Sequence, residues 1–393
     1  MTDLFVVIPT YWTWPQTASA RPTTASFDHP TPLDGESTLP ALLDDLCVQQ
    51  DAGFEVLVLT GLAHVDLAGD VSEHVRNILE LYRGRLRMRV VDGPALRRML
   101  DPTRLSDLPT ELLHLQSYAA VRNLQLLVPH ALGAEVIVAL DDDERVEPDY
   151  ITLARRFIGT KVQGHAVLGL GGPYLQRDGS VLLPEPAATG NPFHDKARYI
   201  NAAMRLLTES QDAPVPSPMA LGGNMLIHRD AFSRICFDPA ITRGEDIDYL
   251  INARLQGVRW WFDPGLTVLH LPPRRYDSPA YQRMREDLFR FVYEREKLRM
   301  HGQHRPDWLE PYPGVLLSDE LERQALAALE AEATPELTGR FGTPAAILEQ
   351  ARAHAALHLP RFDDLQKRWA RLMRGLQHDR TLRGKLRGAV PPV

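Results

Sequence analysis

The apolar run Val136-Ile137-Val138-Ala139-Leu140 leads straight into Asp141-Asp142-Asp143. Five consecutive apolar residues that stop at acids read as a strand buried on both faces, as in a parallel sheet covered by helices. In such a sheet ligands bind beyond the carboxyl ends of the strands, where the triplet falls. Three adjacent carboxylates repel one another unless a cation or a proton relieves them. A hard divalent ion, Mg²⁺ or Mn²⁺, sharing its shell with diphosphate oxygens would do so. The alternative is a solvated acidic turn ahead of Glu147-Pro148-Asp149.

The rest of the first half alternates in the same way. Leu4 to Ile8 reads as a first strand closed by Pro9-Thr10. Residues 11–37, rich in Pro, Thr, Ser and aromatics and without a period, read as a long loop of the kind that is functional or mobile. Trp12, Trp14, Phe27, Asp28 and His29 are its candidates for closing over a ligand. Then come a helix with Leu39, Leu42, Leu43, Leu46 and Cys47 on one face, a strand from Phe54 to Leu59, and a helix marked by Val71, Val75, Ile78, Leu79 and Tyr82. A strand from Leu86 to Val91, helical pieces over 95–115 and a helix from Ser117 to Val128 complete the approach to the acids. Such alternation predicts an α/β fold, a mostly parallel sheet with helices on both faces. Val167 to Leu170, Met225 to His228, Trp260 to Phe262 and Thr267 to Leu271 add short strands. From residue 278 the pattern is mainly helical, which divides the chain into 1–277 and 278–393.

Bulk properties narrow the classes. The net charge of −7 does not favour nucleic acid as a partner. Two cysteines, Cys47 and Cys236, do not make a disulfide framework and fit a reducing compartment. The N-terminus lacks a basic leader and no run of 18 apolar residues occurs, so a cytoplasmic protein is expected.

Four further groups carry candidate chemistry. Arg122-Asn123 sits on the helix before the acids, where a cation can meet a diphosphate or simply face solvent. Gly222-Gly223-Asn224 precedes a strand, and paired glycines let a ligand approach the backbone or make a plain turn. Arg243-Gly244-Glu245-Asp246 opens a helix, where acids also complement the helix dipole. His270 ends the apolar run Leu266-Thr267-Val268-Leu269.

Taken in order, Val6-Val7-Ile8-Pro9-Thr10-Tyr11, Val121-Arg122-Asn123, Leu140-Asp141-Asp142-Asp143, Glu147-Pro148-Asp149, Gly222-Gly223-Asn224-Met225, Gly244-Glu245-Asp246 and His270 resemble the GT-A glycosyltransferases. The likeness is to the inverting family 2 and its galactofuranosyltransferase-like relatives, and it covers residues 4–275. It implies that Asp141, Asp142 and Asp143 bind the metal and the diphosphate of a nucleotide-sugar donor. Asp141 and Asp143 would be metal ligands, and His270 a third. Asp246 would be the catalytic base, with Glu245 beside it. Pro9, Thr10 and Tyr11 would form the nucleoside platform, Arg122 would lie near the diphosphate, and Gly223 and Asn224 would face the donor sugar and acceptor. The cofactor would be Mn²⁺ or Mg²⁺. One acid set would hold the metal while another stayed free to take a proton, which argues against a plain metal-binding module.

The chain also departs from that pattern. The second strand ends without the acid that reads a uracil ring; Asp92, after the third strand, is the substitute, and UDP is favoured only weakly over GDP. A sugar-phosphate nucleotidyltransferase would need a Gly-rich, basic loop after the first strand, and residues 9–37 hold one Gly, Gly35, and one Arg, Arg21. A non-catalytic nucleotide-sugar-binding relative is the third class. The acceptor hydroxyl, on a small metabolite, a glycan or a lipid-linked sugar, is open. Near the C-terminus Leu365, Trp369, Leu372, Met373 and Leu376 share one face of a basic helix. Such a helix can lie on the inner face of a membrane or pack on the catalytic domain; packing is the favoured expectation.

Overall fold

The computed structural model describes residues 3–17, 27–100, 110–210, 213–273, 279–304 and 306–393. Part of the expected loop, the stretch 101–109 and the expected boundary at 277/278 lie outside them. In chain order the elements are β1 (Leu4–Thr13), β2 (Thr31–Pro32), α1 (Leu39–Cys47), β3 (Phe54–Leu62), α2 (Ala68–Glu80), β4 (Met88–Val91), α3 (Gly93–Leu100), α4 (Tyr118–Leu132) and β5 (Val136–Ala139). There follow β6 (Glu144–Arg145), α5 (Tyr150–Arg155), β7 (Lys161–Val162), β8 (His165–Ala166), β9 (Gly169–Gly171), β10 (Tyr174–Leu175), α6 (Lys196–Thr208), β11 (Val215–Pro216) and β12 (Met225–His228). The last are α7 (Arg229–Phe232), α8 (Glu245–Leu255), β13 (Trp260–Phe262), β14 (Val268–His270), α9 (Ala280–Met300), α10 (Leu321–Glu332), α11 (Pro335–Phe341), α12 (Pro344–His378) and α13 (Arg380–Ala389).

The main sheet runs β11-β13-β9-β12-β5-β1-β3-β4, with β2 beside β1. It is mostly parallel, as expected; β12 runs against both β5 and β9, and β11 against β13. A small sheet, β10-β14-β6, stands apart from it.

The first strand is longer than its apolar run suggests. It continues through Thr13, pairing with β3 as far as Trp12↔Leu62 and with β2 at Trp12↔Thr31. Pro9 therefore lies inside a strand. Val7 O accepts from Leu140 N–H, so residues 7 and 9 turn their polar groups toward β5. That pairing ends at Val7↔Ala139, and the missing N–H of Pro9 falls just past it.

α4 is buried from Ala119 to Ala131, because the sheet covers one side and the C-terminal helices the other. Ser117 Oγ caps its start by accepting from Ala120 N–H, and Gly133 closes its end in the left-handed conformation. Arg387 of α13 donates to the end carbonyls of Ala131 and Leu132, each at 3.0 Å. Leu365, Trp369, Met373 and Leu376 of α12 are buried, and the Trp369 indole donates to Phe232 O at 2.9 Å. The chain ends against the edge strand β4, where Val393 N–H donates to Met88 O.

The basic C-terminal helix thus packs on the α/β unit, and its apolar stripe lies inside the protein. A membrane-surface helix needs that stripe outward, so the structure removes the basis for membrane contact through this segment. No helix among the described residues is long and apolar enough to cross a membrane.

Lys297 of α9 is fully buried between Asp238 and Asp248, at 2.9 and 2.7 Å. Burial works against its charge, but the two carboxylates hold its pKa above the ordinary lysine value. Lys297→Met is expected to cost about 3–5 kcal/mol, because it strands two buried carboxylates. A urea midpoint equal to that of the parent would show that this ion pair does not anchor α9.

Candidate active site

Three pieces of chain converge where β1 and β5 end. Because β12 runs against β5, with Met225 opposite Ala139, the turn before β12 lies beside the acids that follow β5. The small sheet brings β14 to the same place: His270 pairs with Glu144, and Leu271 N–H donates to Asp143 O at 2.9 Å. The first turn of α8 supplies Glu245 and Asp246.

A cavity of about 380 Å³ opens there. Of the residues expected from the sequence, it gathers Tyr11, Arg122, Asp141, Asp142, Asp143, Glu245, Asp246 and His270 on its wall. The Asp143 and His270 side chains approach to 3.7 Å, Oδ2 to Nε2, and the His270 ring stacks on Tyr174. Tyr11 packs against Phe27 and Tyr118.

Five expected residues are not on the wall. Pro9 and Thr10 lie within β1, and the Thr10 hydroxyl donates to Asp142 Oδ2 at 2.6 Å, which ties Thr10 to the triplet. Asp92 is fully buried and committed: it accepts from Ser72 Oγ, Arg76 Nε and Ala95 N–H, which caps α3. Those bonds leave it no free face for a nucleobase. Asn224 is equally committed, accepting from the Tyr150 hydroxyl and donating to Leu266 O. Gly223 backs onto Glu144: a Cβ there would stand 2.0 Å from Oε1. Its N–H donates to the Tyr174 hydroxyl. Gly222 is the member of that turn on the wall, and its N–H donates to Asp246 Oδ2 at 3.0 Å.

Asp28 and His29, named from the long loop, and Arg243, named with Glu245 and Asp246, also line the cavity. The sequence reading missed Tyr118, Tyr174, Lys196, Asp287, Arg290 and Tyr312, which line it too. Asp28 and His29 come from the long loop, whereas Trp12 is buried in the core. Asp287 and Arg290 come from α9, in the region expected to stand outside the catalytic domain. Gly244, in the left-handed conformation, lets Arg290 lie against the start of α8; a Cβ there would meet Nη1 at 1.9 Å.

The cavity holds more acid than it balances. Arg122, almost fully buried, donates to Asp141 Oδ1 at 2.9 Å, to Glu245 Oε1 at 3.4 Å and to Gln125. It therefore bridges the two acid sets instead of standing free for a diphosphate. Burial pushes Asp142 up to about 8, and Asp143 up to about 7, where Asp141 adds to the effect. Burial likewise takes Glu144 well above the carboxylate range, and its Oε2 accepts from Asp141 N–H. Glu245 is pushed up to about 7 by burial, with Arg122 opposing, and Asp246 is also raised by burial. Burial lowers His270, which favours the neutral ring that binds metal.

A divalent cation fits part of this donor set. Asp143 and His270 are adjacent, and among the described residues no Lys or Arg pairs with Asp143. Asp141 is already taken by Arg122. Among the described residues no group of three or more His, Cys, Asp or Glu stands ready to hold an ion. An ion held by one or two side chains and completed by phosphate oxygens is the ordinary Mg²⁺ arrangement.

No protein-family model and no curated protein matches the chain. Solved structures similar to it include the mannosyltransferase PcManGT from Pyrobaculum calidifontis in complex with GDP-Man and Mn²⁺, at 15% identity and TM-score 0.45, covering 96% of this chain and 88% of that one. S. aureus TarS is similar at 14% identity and TM-score 0.42, covering 93% and 55%. GalNAc-T7 with UDP, GalNAc and Mn²⁺ is similar at 12% identity and TM-score 0.44, covering 80% and 57%. The chain spans little more than half the length of the last two.

Gly223→Ala tests the role given to that glycine. The added methyl must displace the Glu144 carboxyl and with it the bond to Asp141 N–H. A loss of about 1–3 kcal/mol is expected from overpacking, read as a lower melting temperature. An unchanged melting temperature would mean that Glu144 moves freely.

Proposed function

We propose that this protein is a metal-dependent glycosyltransferase that moves a sugar from a nucleotide-diphosphate donor to an acceptor hydroxyl, with inversion. One observation carries the reading: two carboxylate sets share one cavity and are held apart by a buried arginine. Asp143 and His270 are suited to an Mn²⁺ or Mg²⁺ ion together with the donor diphosphate, and Asp142, fixed by the Thr10 hydroxyl, shapes that side. The bound ion would neutralise charge building on the leaving diphosphate.

Asp246 is the base in this reading. It lines the cavity, and the Gly222 and Ile247 N–H groups fix its two oxygens. Glu245 is more deeply buried and engaged by Arg122, which makes it a positioning residue. A carboxylate placed like Asp246 takes the proton from an acceptor hydroxyl as it attacks the anomeric carbon. Attack from the face opposite the leaving group inverts that carbon. The ligands named for the similar structures, GDP-Man in one and UDP in another, include both bases left open by the sequence, and Asp92 gives no reason to prefer UDP.

The first experiment is calorimetric titration with UDP and with GDP, each with Mn²⁺ and with EDTA. Binding of one nucleotide is expected, lost in EDTA and in Asp143→Ala. No binding of either nucleotide with any metal would overturn the proposal. Asp246→Asn should keep that binding and lose about 10²- to 10⁴-fold in transfer. Transfer at the parent rate would remove Asp246 as base, and a product of retained configuration would remove inversion.

A further inference from the structure

A second cavity, of about 300 Å³, lies further along two of the helices that wall the first. On α6, Lys196 and Ile200 face the catalytic cavity, while Ala203 and Leu207 line the second. These residues fall at i, i+4, i+7 and i+11, a single stripe of the helix. On α8, Asp246 lines the first cavity, and Leu250 and Arg254, one and two turns on, line the second. Eight helical residues set Arg254 about 12 Å from Asp246 along the axis. The segment before β12 joins the two as well, with Pro218 on the second and Met219 on the first.

Two arginines face this space, Arg254 and Arg259. Arg254 lies over the Trp308 ring, 5.4 Å from its centroid, and Arg259 over Trp261 at 5.6 Å. Stacking orients a guanidinium and leaves its N–H fork available. Asp307 and Glu310 also line the cavity, yet among the described residues neither arginine forms an ion pair. Burial and Arg259 together lower the Arg254 pKa, as for a cation that feels another cation more than any acid. Trp308 is half-buried, and Leu206 is 67% exposed at the rim. Paired guanidiniums beside an aromatic face suit a phosphate or carboxylate carried on a sugar ring.

We propose that this cavity is an acceptor subsite for a sugar phosphate or carboxylate, part of an elongated acceptor whose reacting hydroxyl reaches Asp246. The proposal rests on the transferase reading, and it narrows the acceptor to an anionic, extended glycan.

The test is calorimetry on the full chain in EDTA, where the acids of the catalytic cavity repel anions. The probes are a hexose 1-phosphate, inorganic phosphate and the uncharged hexose. The hexose phosphate is expected to bind more tightly than phosphate, with no binding of the free hexose. Arg254→Gln/Arg259→Gln should weaken the hexose phosphate at least tenfold while keeping the parent melting temperature. Trp308→Ala should weaken the hexose phosphate more than phosphate. Equal affinity for both anions would leave an anion site only and overturn the subsite. Binding unchanged in the double variant would overturn the site itself, and so would its loss together with a collapsed melting temperature. Nucleotide titration of the parent with Mn²⁺ is the separate arm: its failure sinks the transferase reading and leaves the anion result standing.

Discussion

The site depends on one buried cation. The Arg122 guanidinium is held between Asp141, just past the end of β5, and Glu245, at the start of α8, and it is carried by a helix with no solvent-facing side through its middle turns. Burial disfavours its charge, but the two carboxylates outweigh that and hold its pKa well above the ordinary arginine value. A buried ion pair of this kind is weak evidence for net stability, since desolvation can cancel the attraction. Its effect is geometric. Either acid set alone would be repelled by the other, and the planar fork between them fixes their separation.

With Arg122 engaged, the remaining carboxylates compete for protons and for whatever cation arrives. Burial and the neighbouring carboxylates raise Asp142, burial and Asp141 raise Asp143, and burial takes Glu144 beside them well above the carboxylate range. On the transferase reading Asp143 would exchange a proton for a metal ion, and the adjacent His270, lowered by burial, would bind it as the neutral ring. Asp246 differs because two backbone N–H groups fix its oxygens. Six acids from two segments thus have different surroundings, set by which of them received an arginine, a hydroxyl or an N–H group.

The alternation of apolar runs and helical periods made the parallel half of the fold legible, because strands buried on both faces leave continuous apolar stretches. It did not show where strands end. β1 runs on through Pro9 to Thr13, since β3 and β2 still pair with it after β5 has stopped, and only tertiary structure decides that. Seven of the eight expected site residues that meet in the cavity sit at or near a strand or helix end, where sequence punctuation is strong; Arg122 lies in the second turn of α4. Asp92 and Asn224 lie off the cavity wall. A polar residue at a strand end looks the same in sequence whether it faces a ligand or a neighbouring element; here Asp92 caps α3, and Asn224 bonds to the Tyr150 hydroxyl and Leu266 O.

The least legible part of the site is built by the chain beyond β14. α9 carries charged residues of both signs around its whole circumference, and the sequence marks it only as helical. In the structure its charges are buried in pairs: Lys297 with Asp238 and Asp248, Arg290 with Glu294, Asp287 with Lys196. That pairing allows a polar helix to pack as a core element, and it places Arg290 and Asp287 on the cavity wall. On the transferase reading the donor side is formed by the strand ends, whose pattern resembles a known family. The acceptor side is formed with α6, α9 and the segment around Tyr312, which carry no such pattern. This division is a physical reason why sequence points to a nucleotide sugar and is silent on what receives it. Donor diphosphate chemistry demands acids at strand ends, whereas acceptor recognition needs only shape and charge from whichever helices pack there.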